Sequence, residues 1–542
     1  MRRLLVAGGG FALVVALALP ALASRREPAT VCVGSGAGCL RTIQAALDKA
    51  PPGATVTIGK GKFAGGITIR KSVSLVGAGA GATIVNGGGP VVTITPGSVR
   101  VSIERLTITG GLTTRNPSRR CGADIPTCGP GYLRATALGG GVEILPSTPD
   151  GPGEGATVTI SDSVVAGNRA EPRVAVPSVV AKCPSGACPF AQAGGGGIDN
   201  WGTLTLIRTH VTGNVAAGPV TAQADGGGIL GEDGSSLALQ ASVVSGNVAA
   251  AAKPNGRLAA GGGIYVDRRG TLDIHRSSIS RNTASLTTGY PSSVSDLSAH
   301  SGGIHVANAG SATIDHATLS GNRVIVSAPV AKAVGFDSAL LVTASPLILS
   351  NSLISGNSVT ATVGDSPEGG TGGGLEVGSY AAIDHTRVIG NRVTVSSASG
   401  RALGIAFVNT FVGGPRAGVV TDSVISGNVV RASSKTGTAE IEGVGLANNG
   451  PLELRNVQIT DNLGEATGPE GWAHGGGIFN GLVFHVPKPK LTLTDVTVTG
   501  NRLAGSAGLA FQGAGVYTAG FPLLSTRAAI DHNAPDDCYG CR

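Results

Sequence analysis

Two acidic residues follow matching glycine runs: Glu143 in GGGVEI (139–144) and Asp199 in GGGIDN (195–200). If these segments occupy successive layers of one stack, the two carboxyls lie about 5 Å apart, the separation of a retaining glycosidase pair. With Asp225 nearby, the same oxygens could instead serve Ca²⁺, which takes several carboxylate and carbonyl ligands. The blander account, which we favour, is two solvent-facing acids that happen to stack, because no Arg or Lys suited to a lyase base shares their column. His316 and His385 share another column, but Asn351 separates them by two layers, so turn hydrogen bonding explains them better than a shared metal. Neither HExxH, GxSxG nor a P-loop occurs, and GDS at 364–366 lacks the strand-to-helix context of a hydrolase nucleophile. Catalytic residues therefore stay unassigned, with Glu143 and Asp199 as the candidates. No cofactor is expected, Ca²⁺ at Glu143, Asp199 and Asp225 being the one metal considered.

What must position such residues is a repeat. Eleven asparagines recur 32 to 46 residues apart: Asn168, Asn214, Asn247, Asn282, Asn322, Asn357, Asn391, Asn428, Asn462, Asn501 and Asn533. The third residue before each is always Val, Ile or Leu, and the sixth is mostly polar, as at Asp162, Arg208, Arg276, His316, Asn351 and Asp422. A glycine run and an aliphatic residue open most repeats. The apolar residues alternate over four to six positions, as in TLTLI and LTLTDVTVTG, which is the period of strands and not of helices. One turn of a coil per repeat, with about three short strands each, stacks every column on its predecessor at roughly 4.8 Å. The expected fold is a parallel β-solenoid. Its asparagines sit at a bend, bonding backbone groups and the asparagines above and below, and its glycines permit positive φ and close backbone approach. GAGAGAT at 77–83 imitates a dinucleotide fingerprint, but TIVNGGG follows in place of a helix. Variable inserts, among them 169–193, 248–260, 283–301 and 323–337, fall between each asparagine and the next glycine run and should gather on one face.

Composition agrees. The 542 residues include 88 glycines without a Gly-X-Y period, and aromatics make up only 3%, so aliphatic files must replace an aromatic core. Residues 1–23 (basic Arg2 and Arg3, an apolar stretch, then Ala21-Leu22-Ala23) read as a secretory signal cleaved near Ala23. Its removal takes the net charge from +7 to +5. The mature chain has no apolar stretch long enough to span a bilayer and no basic stripe interleaved with aromatics, so an extracellular or cell-surface protein is expected, without nucleic acid as a partner. Eight cysteines form four close couples: Cys32 with Cys39, Cys121 with Cys128, Cys183 with Cys188, and Cys538 with Cys541. In an exported chain local disulfides are the simplest reading, with a zinc or redox site at CYGC as the rival.

Residues 42–79, TIQAALDKAPPGATVTIGKGKFAGGITIRKSVSLVGAG, resemble the N-terminal cap and first coil of the pectin-lyase-like right-handed parallel β-helix superfamily. The later segments are similar to the GGxI…xxxN repeats of polymorphic outer-membrane proteins and related bacterial β-helix proteins, with Val, Ile or Leu in place of the usual Phe. The resemblance implies a single-stranded right-handed parallel β-helix over 53–533, an N-terminal segment and capping helix over 24–52, and a cysteine-containing tail over 534–542. It implies little about activity, because that superfamily holds lyases, hydrolases, esterases, epimerases, adhesins and proteins without known activity. No run of alternating strands for an autotransporter barrel follows. The functional expectation is an extracellular binding or structural scaffold, with polysaccharide or cell-wall glycan as the candidate ligand. The alternative is a polysaccharide lyase or glycoside hydrolase. Trp201, Tyr265 and Trp472 are the few rings available to stack on sugars.

Overall fold

The computed structural model describes residues 29–114, 134–147, 155–173, 190–218, 223–252, 257–287, 297–308, 310–328, 334–335, 339–364, 375–398, 402–404, 407–409, 417–481 and 489–541. The leader and the GDS residues after Gly364 lie outside them.

Every strand pairing between successive coils is parallel. Sheet I has 15 strands, from Thr30–Val33 to Leu523–Thr526, while sheets II and III have 14 each. The first coils use three strands, as in Thr55–Ile58, Gly61–Ala64 and Ile67–Ile69. Inward residues alternate with outward ones along each strand, and the inward files Val158, Leu204, Leu237, Leu272 and Ile160, Leu206, Leu239, Ile274 are fully buried. Each such side chain contributes up to about 1.5–3 kcal/mol by leaving water. The helix Ile43–Lys49 closes the N-terminal end with Ile43, Ala46 and Leu47, the stripe expected from its spacing. Thr42 Oγ1 accepts from the Ala45 N–H at 3.2 Å, and Lys71 Nζ donates to the Ala50 carbonyl at 2.6 Å, satisfying groups at both helix ends.

The asparagines form a continuous buried ladder. The side-chain amide of Asn214, for example, donates to Asn247 Oδ1 at 3.0 Å and to the Val165 carbonyl at 2.9 Å. Its own Oδ1 accepts from both nitrogens of Asn168 at 3.0 Å. At the C-terminal end Asp537 Oδ1 takes the place of the next asparagine, accepting from Asn533 N at 2.8 Å and Nδ2 at 3.0 Å. The glycine run has three separate causes. Its first member, such as Gly226, has φ near +59°; a Cβ on the second, Gly227, would lie 2.4 Å from the Val248 carbonyl carbon. A Cβ on the third, Gly228, would press on the Asn247 side chain at 3.0 Å. The residue six before each asparagine, polar at all but Ala241, turns the corner from sheet I to sheet II at φ of +45° to +56°, a conformation that Asn and Asp tolerate best.

Three features differ from the sequence expectation. First, the middle coils have five strands. Ser236–Gln240, Val243–Ser245 and Ile264–Val266 belong to sheets I, II and III, but the chain between them leaves along Val248–Ala251 and returns along Leu258–Ala260. Among the described residues, outgoing strands build sheet IV (11 strands), and returning strands build sheet V (six strands) and, further along, sheet VI (four). Much of what reads as variable insert is thus regular sheet, and its Ala and Val residues enclose a second core, with Ala251, Ala284, Val324 and Val359 packed with Ala259 and Ala299. Second, Thr30–Val33 pairs with Thr55–Ile58, so the stack begins before residue 53. Third, it runs past residue 533, because Cys538–Tyr539 joins the Val516 strand.

Of the four disulfides expected from the cysteine spacing, two are described: Cys32 is joined to Cys39, and Cys538 to Cys541. The other two expected bridges, Cys121 with Cys128 and Cys183 with Cys188, fall on residues outside the described ones. No helix among the described residues is long and apolar enough to cross a membrane.

Candidate functional site

Glu143 and Asp199 are register partners on adjacent strands of sheet III, as the glycine runs imply. Their column continues through Leu230, Tyr265, His305, Leu341 and Glu376, and later through Ala447, Phe479, Tyr517 and Tyr539. The column points away from the first core, but it does not face solvent. Glu143 is 7% exposed and Asp199 only 1%. This corrects the solvent-facing expectation, and the cause is the returning strand of each coil: the face of sheets V and VI opposite the second core lies over sheet III. Leu230 of sheet III fills the space that a side chain at Gly194 of sheet V would occupy, and the rings of His300 and His305, one from each sheet, are 5.2 Å apart. Leu403 of sheet VI packs with Ala447 and Phe479 in the same way.

A polar seam is therefore buried between the two faces. Asp225 enters it from sheet V and not from the Glu143–Asp199 column, since its register partners are Gly194 and Ala260. Its Oδ2 accepts from Gln223 Nε2 at 2.6 Å and from Gln192 Nε2 at 3.3 Å, while Oδ1 has no partner among the described residues. Burial pushes this carboxyl up to about 7, against the two amide hydrogen bonds and with help from the charges of Glu232 and Asp267. Burial also brings the His300 imidazole down to about 4 and holds His305 well below its ordinary value. The seam thus favours neutral forms: a carboxyl that holds its proton up to near neutral pH on one side and uncharged imidazoles further along. Glu143, Asp199 and Asp225 do not form a three-ligand cation cluster among the described residues.

Of the rings expected to meet sugars, Trp201 is 7% exposed and belongs to the core. Tyr265 is half-buried edge-on to His305, with centroids 5.0 Å apart. Trp472 lies at the C-terminal end of the seam in company the sequence did not reveal. It stacks on His474 at 6.1 Å; His474 stacks on Tyr517 at 4.2 Å, within 1° of parallel. Tyr517 is flanked by Phe479 at 5.4 Å and Tyr539 at 5.2 Å, all nearly coplanar in orientation. Tyr539, the last rung, is 44% exposed. Alignment on the glycine runs places Phe479 and Tyr517 in one column, as the register has them; His474 arrives through sheet VI, which has no such signature.

His316 and His385 each bond the preceding acid, Nδ1 to Asp315 Oδ2 at 2.7 Å and to Asp384 Oδ2 at 2.8 Å, and they stand two coils apart as expected. The sequence reading missed His275, whose strand position pairs with Asp315 and whose Nδ1 lies 3.0 Å from the same Oδ2. It also missed a buried hydroxyl ladder one residue after the corner, where Ser242 Oγ accepts from the Thr209 N–H and Ser277 Oγ from the Ser242 N–H.

No protein-family model and no curated protein sequence matches the chain. Solved structures similar to it include a mannuronan C-5 epimerase A-module from Azotobacter vinelandii, at 14% identity over 89% of this chain and 94% of that one, with a TM-score of 0.31. A polygalacturonase from Erwinia carotovora ssp. carotovora aligns at 12% identity over 91% of this chain and 97% of that one, with a TM-score of 0.22. A pectin methylesterase in complex with a hexasaccharide aligns at 10% identity over 60% of this chain and 80% of that one, with a TM-score of 0.25. On its own strand registers the chain is a parallel β-helix, right-handed by the rule that governs parallel crossovers.

Proposed function

We propose that the protein is an exported scaffold that binds glycans at the C-terminal mouth of the seam between sheets III and VI. The observation that carries this reading is the ring file Phe479–Tyr517–Tyr539 with Trp472 and His474 beside it, ending in the exposed face of Tyr539. Stacked rings held by two sheets lose little freedom on binding a sugar face, and such a platform suits pyranose rings. The disulfides at both ends support an oxidising compartment, in keeping with a leader over residues 1–23. The test is binding of the untagged mature chain to a panel of uronate and neutral polysaccharides, with and without Ca²⁺. Saturable binding without new reducing ends or unsaturated products is expected. Loss of one ring is worth about 0.5–1.5 kcal/mol, so Trp472→Ala or Tyr539→Ala should weaken binding roughly two- to twelvefold. Absence of binding to every polymer defeats the proposal.

One observation favours a second reading, a glycoside hydrolase. A carboxyl held near 7 at Asp225 is suited to proton donation, and the acid pair Glu143 and Asp199 lies in the facing sheet. Turnover lost in Asp225→Asn, Glu143→Gln and Asp199→Asn would select it. The near-complete burial of all three carboxyls counts against access by a polymer chain.

A further inference from the structure

We infer that His275, Asp315 and His316 form a site for a divalent transition-metal ion that clamps two successive coils at the corner between sheets I and II. His275 ends the strand Thr271–His275; Asp315 ends the next strand of sheet I, directly beside it, and His316 begins the turn. One carboxylate oxygen, Asp315 Oδ2, faces the Nδ1 of both imidazoles, at 3.0 Å from His275 and 2.7 Å from His316. One ligand atom from each of the three residues lies within 4.8 Å of the others. Ligands about 2.0–2.2 Å from a tetrahedral Zn²⁺ are roughly 3.3 Å apart, so an ion fits with small side-chain rotations.

The carboxylate is already oriented for this. Its other oxygen, Oδ1, accepts from Ser350 Oγ at 2.7 Å and Asn351 Nδ2 at 3.0 Å, which leaves Oδ2 turned to the imidazoles. The backbone supports the same geometry: His316 is fixed at φ near +50° by the corner itself. Both histidine side chains are about half exposed, so an ion can enter from solvent with one position left for water. On binding, each imidazole presents its Nδ1 lone pair to the ion and carries its proton on Nε2. Two imidazoles and one carboxylate suit Zn²⁺, Cu²⁺ and Ni²⁺ better than Ca²⁺ or Mg²⁺. The comparable group two coils on, Asp384, His385 and Asp422, has only one imidazole and is the weaker site for the same ions.

The proposal is tested with Zn²⁺ alone on the untagged mature chain, by calorimetry and by the visible spectrum of the Co²⁺ form. We expect saturable uptake, a tetrahedral Co²⁺ spectrum, and a melting temperature that rises with Zn²⁺ concentration because the ion binds only the folded stack. His275→Ala and His316→Ala should each remove one bound ion per chain, and Asn351→Ala should weaken that ion about tenfold by releasing the carboxylate. The three variants keep a folded stack, checked by circular dichroism without metal. Uptake that persists unchanged when His275→Ala and His316→Ala are combined, or no uptake by the parent chain, overturns the site.

Discussion

Replacing Asn322 with alanine removes a side chain that no water reaches. Its Nδ2 donates to the Ile279 carbonyl and to Asn357 Oδ1, both at 3.0 Å. Its Oδ1 accepts from Asn282 N at 3.1 Å and from Asn282 Nδ2 at 3.0 Å. Asn357 Oδ1 keeps a donor, the Asn322 backbone N–H at 2.9 Å. The Ile279 carbonyl, the Asn282 N–H and one amide hydrogen of Asn282 each lose a bond. At about 1–3 kcal/mol for each buried group left without one, the cost is about 3–9 kcal/mol, and a water entering the space would bring it to the lower end. The stack need not unfold in one step, so the assay is denaturant unfolding paired with native-state hydrogen exchange at Asn282. We expect a loss of about 4 kcal/mol and a collapse of Asn282 amide protection, whereas Asn533→Ala at the partly exposed end of the ladder should cost about 1–2 kcal/mol. A loss below about 1 kcal/mol at Asn322 with Asn282 still protected would refute the ladder as a source of stability.

Asp225 gives a prediction whose sign is fixed by linkage. Its folded value near 7 lies above that of the unfolded chain, so the folded state holds the proton more tightly; this stability is full below about pH 4 and is lost as pH rises through 7. Asp225→Asn should therefore be stabilised relative to the parent at pH 8 by an amount that shrinks toward pH 4, read from paired denaturant curves; a pH-independent difference would exclude the shift. Gly227→Ala places a Cβ 2.4 Å from backbone atoms of both Gly262 and Val248 and should cost more than about 2 kcal/mol, measured the same way. Cys32→Ser with Cys39→Ser opens an eight-residue loop at the N-terminal end, and the expected loss of about 2.5 kcal/mol is read as faster exchange of the capping helix.

The ladder and the core files were legible because each repeats one chemical demand in every coil, and the capping helix because Ile43, Ala46 and Leu47 stand at helical spacing. Only a side chain with both donor and acceptor continues a file at Asn168 through Asn533, and only a branched aliphatic fills the position three before it. The seam was not legible, because sheets IV to VI make no comparable demand. Alternation is present in RVIVSA (323–328), SVTATV (358–363) and RVTVSS (392–397), yet the residues are small and interchangeable, and segments of different length separate them from the returning strands. The outward direction of Glu143 and Asp199 was therefore right relative to the first core and wrong relative to solvent. His275 was hidden for a simpler reason: it stands one position before the corner, whereas aligned turn residues place Arg276 in the column of His316.

This division also locates where such a chain can acquire chemistry. An inward position is copied from coil to coil because each side chain packs on its own kind, so a polar substitution there leaves groups unpaired in two neighbouring layers. The corner before sheet II asks only for a residue tolerant of positive φ, and it accepts Asp162, Arg208, His316, Asn351 and Asp495 alike. Successive occupants then pair across layers: Arg208 with Asp162 at 2.7 Å, Arg527 with Asp495 at 2.5 Å, and Asn456 with Asp422 at 2.5 Å. Exposed pairs of this kind contribute little stability, about 0–1 kcal/mol, so nothing in the fold holds their identity fixed. The His275–Asp315–His316 group stands at such a corner, and the Tyr539 ring at the exposed end of an otherwise buried column. In a rod built by repetition, the positions that break the repeat without disturbing the stack are the ones free to carry a ligand.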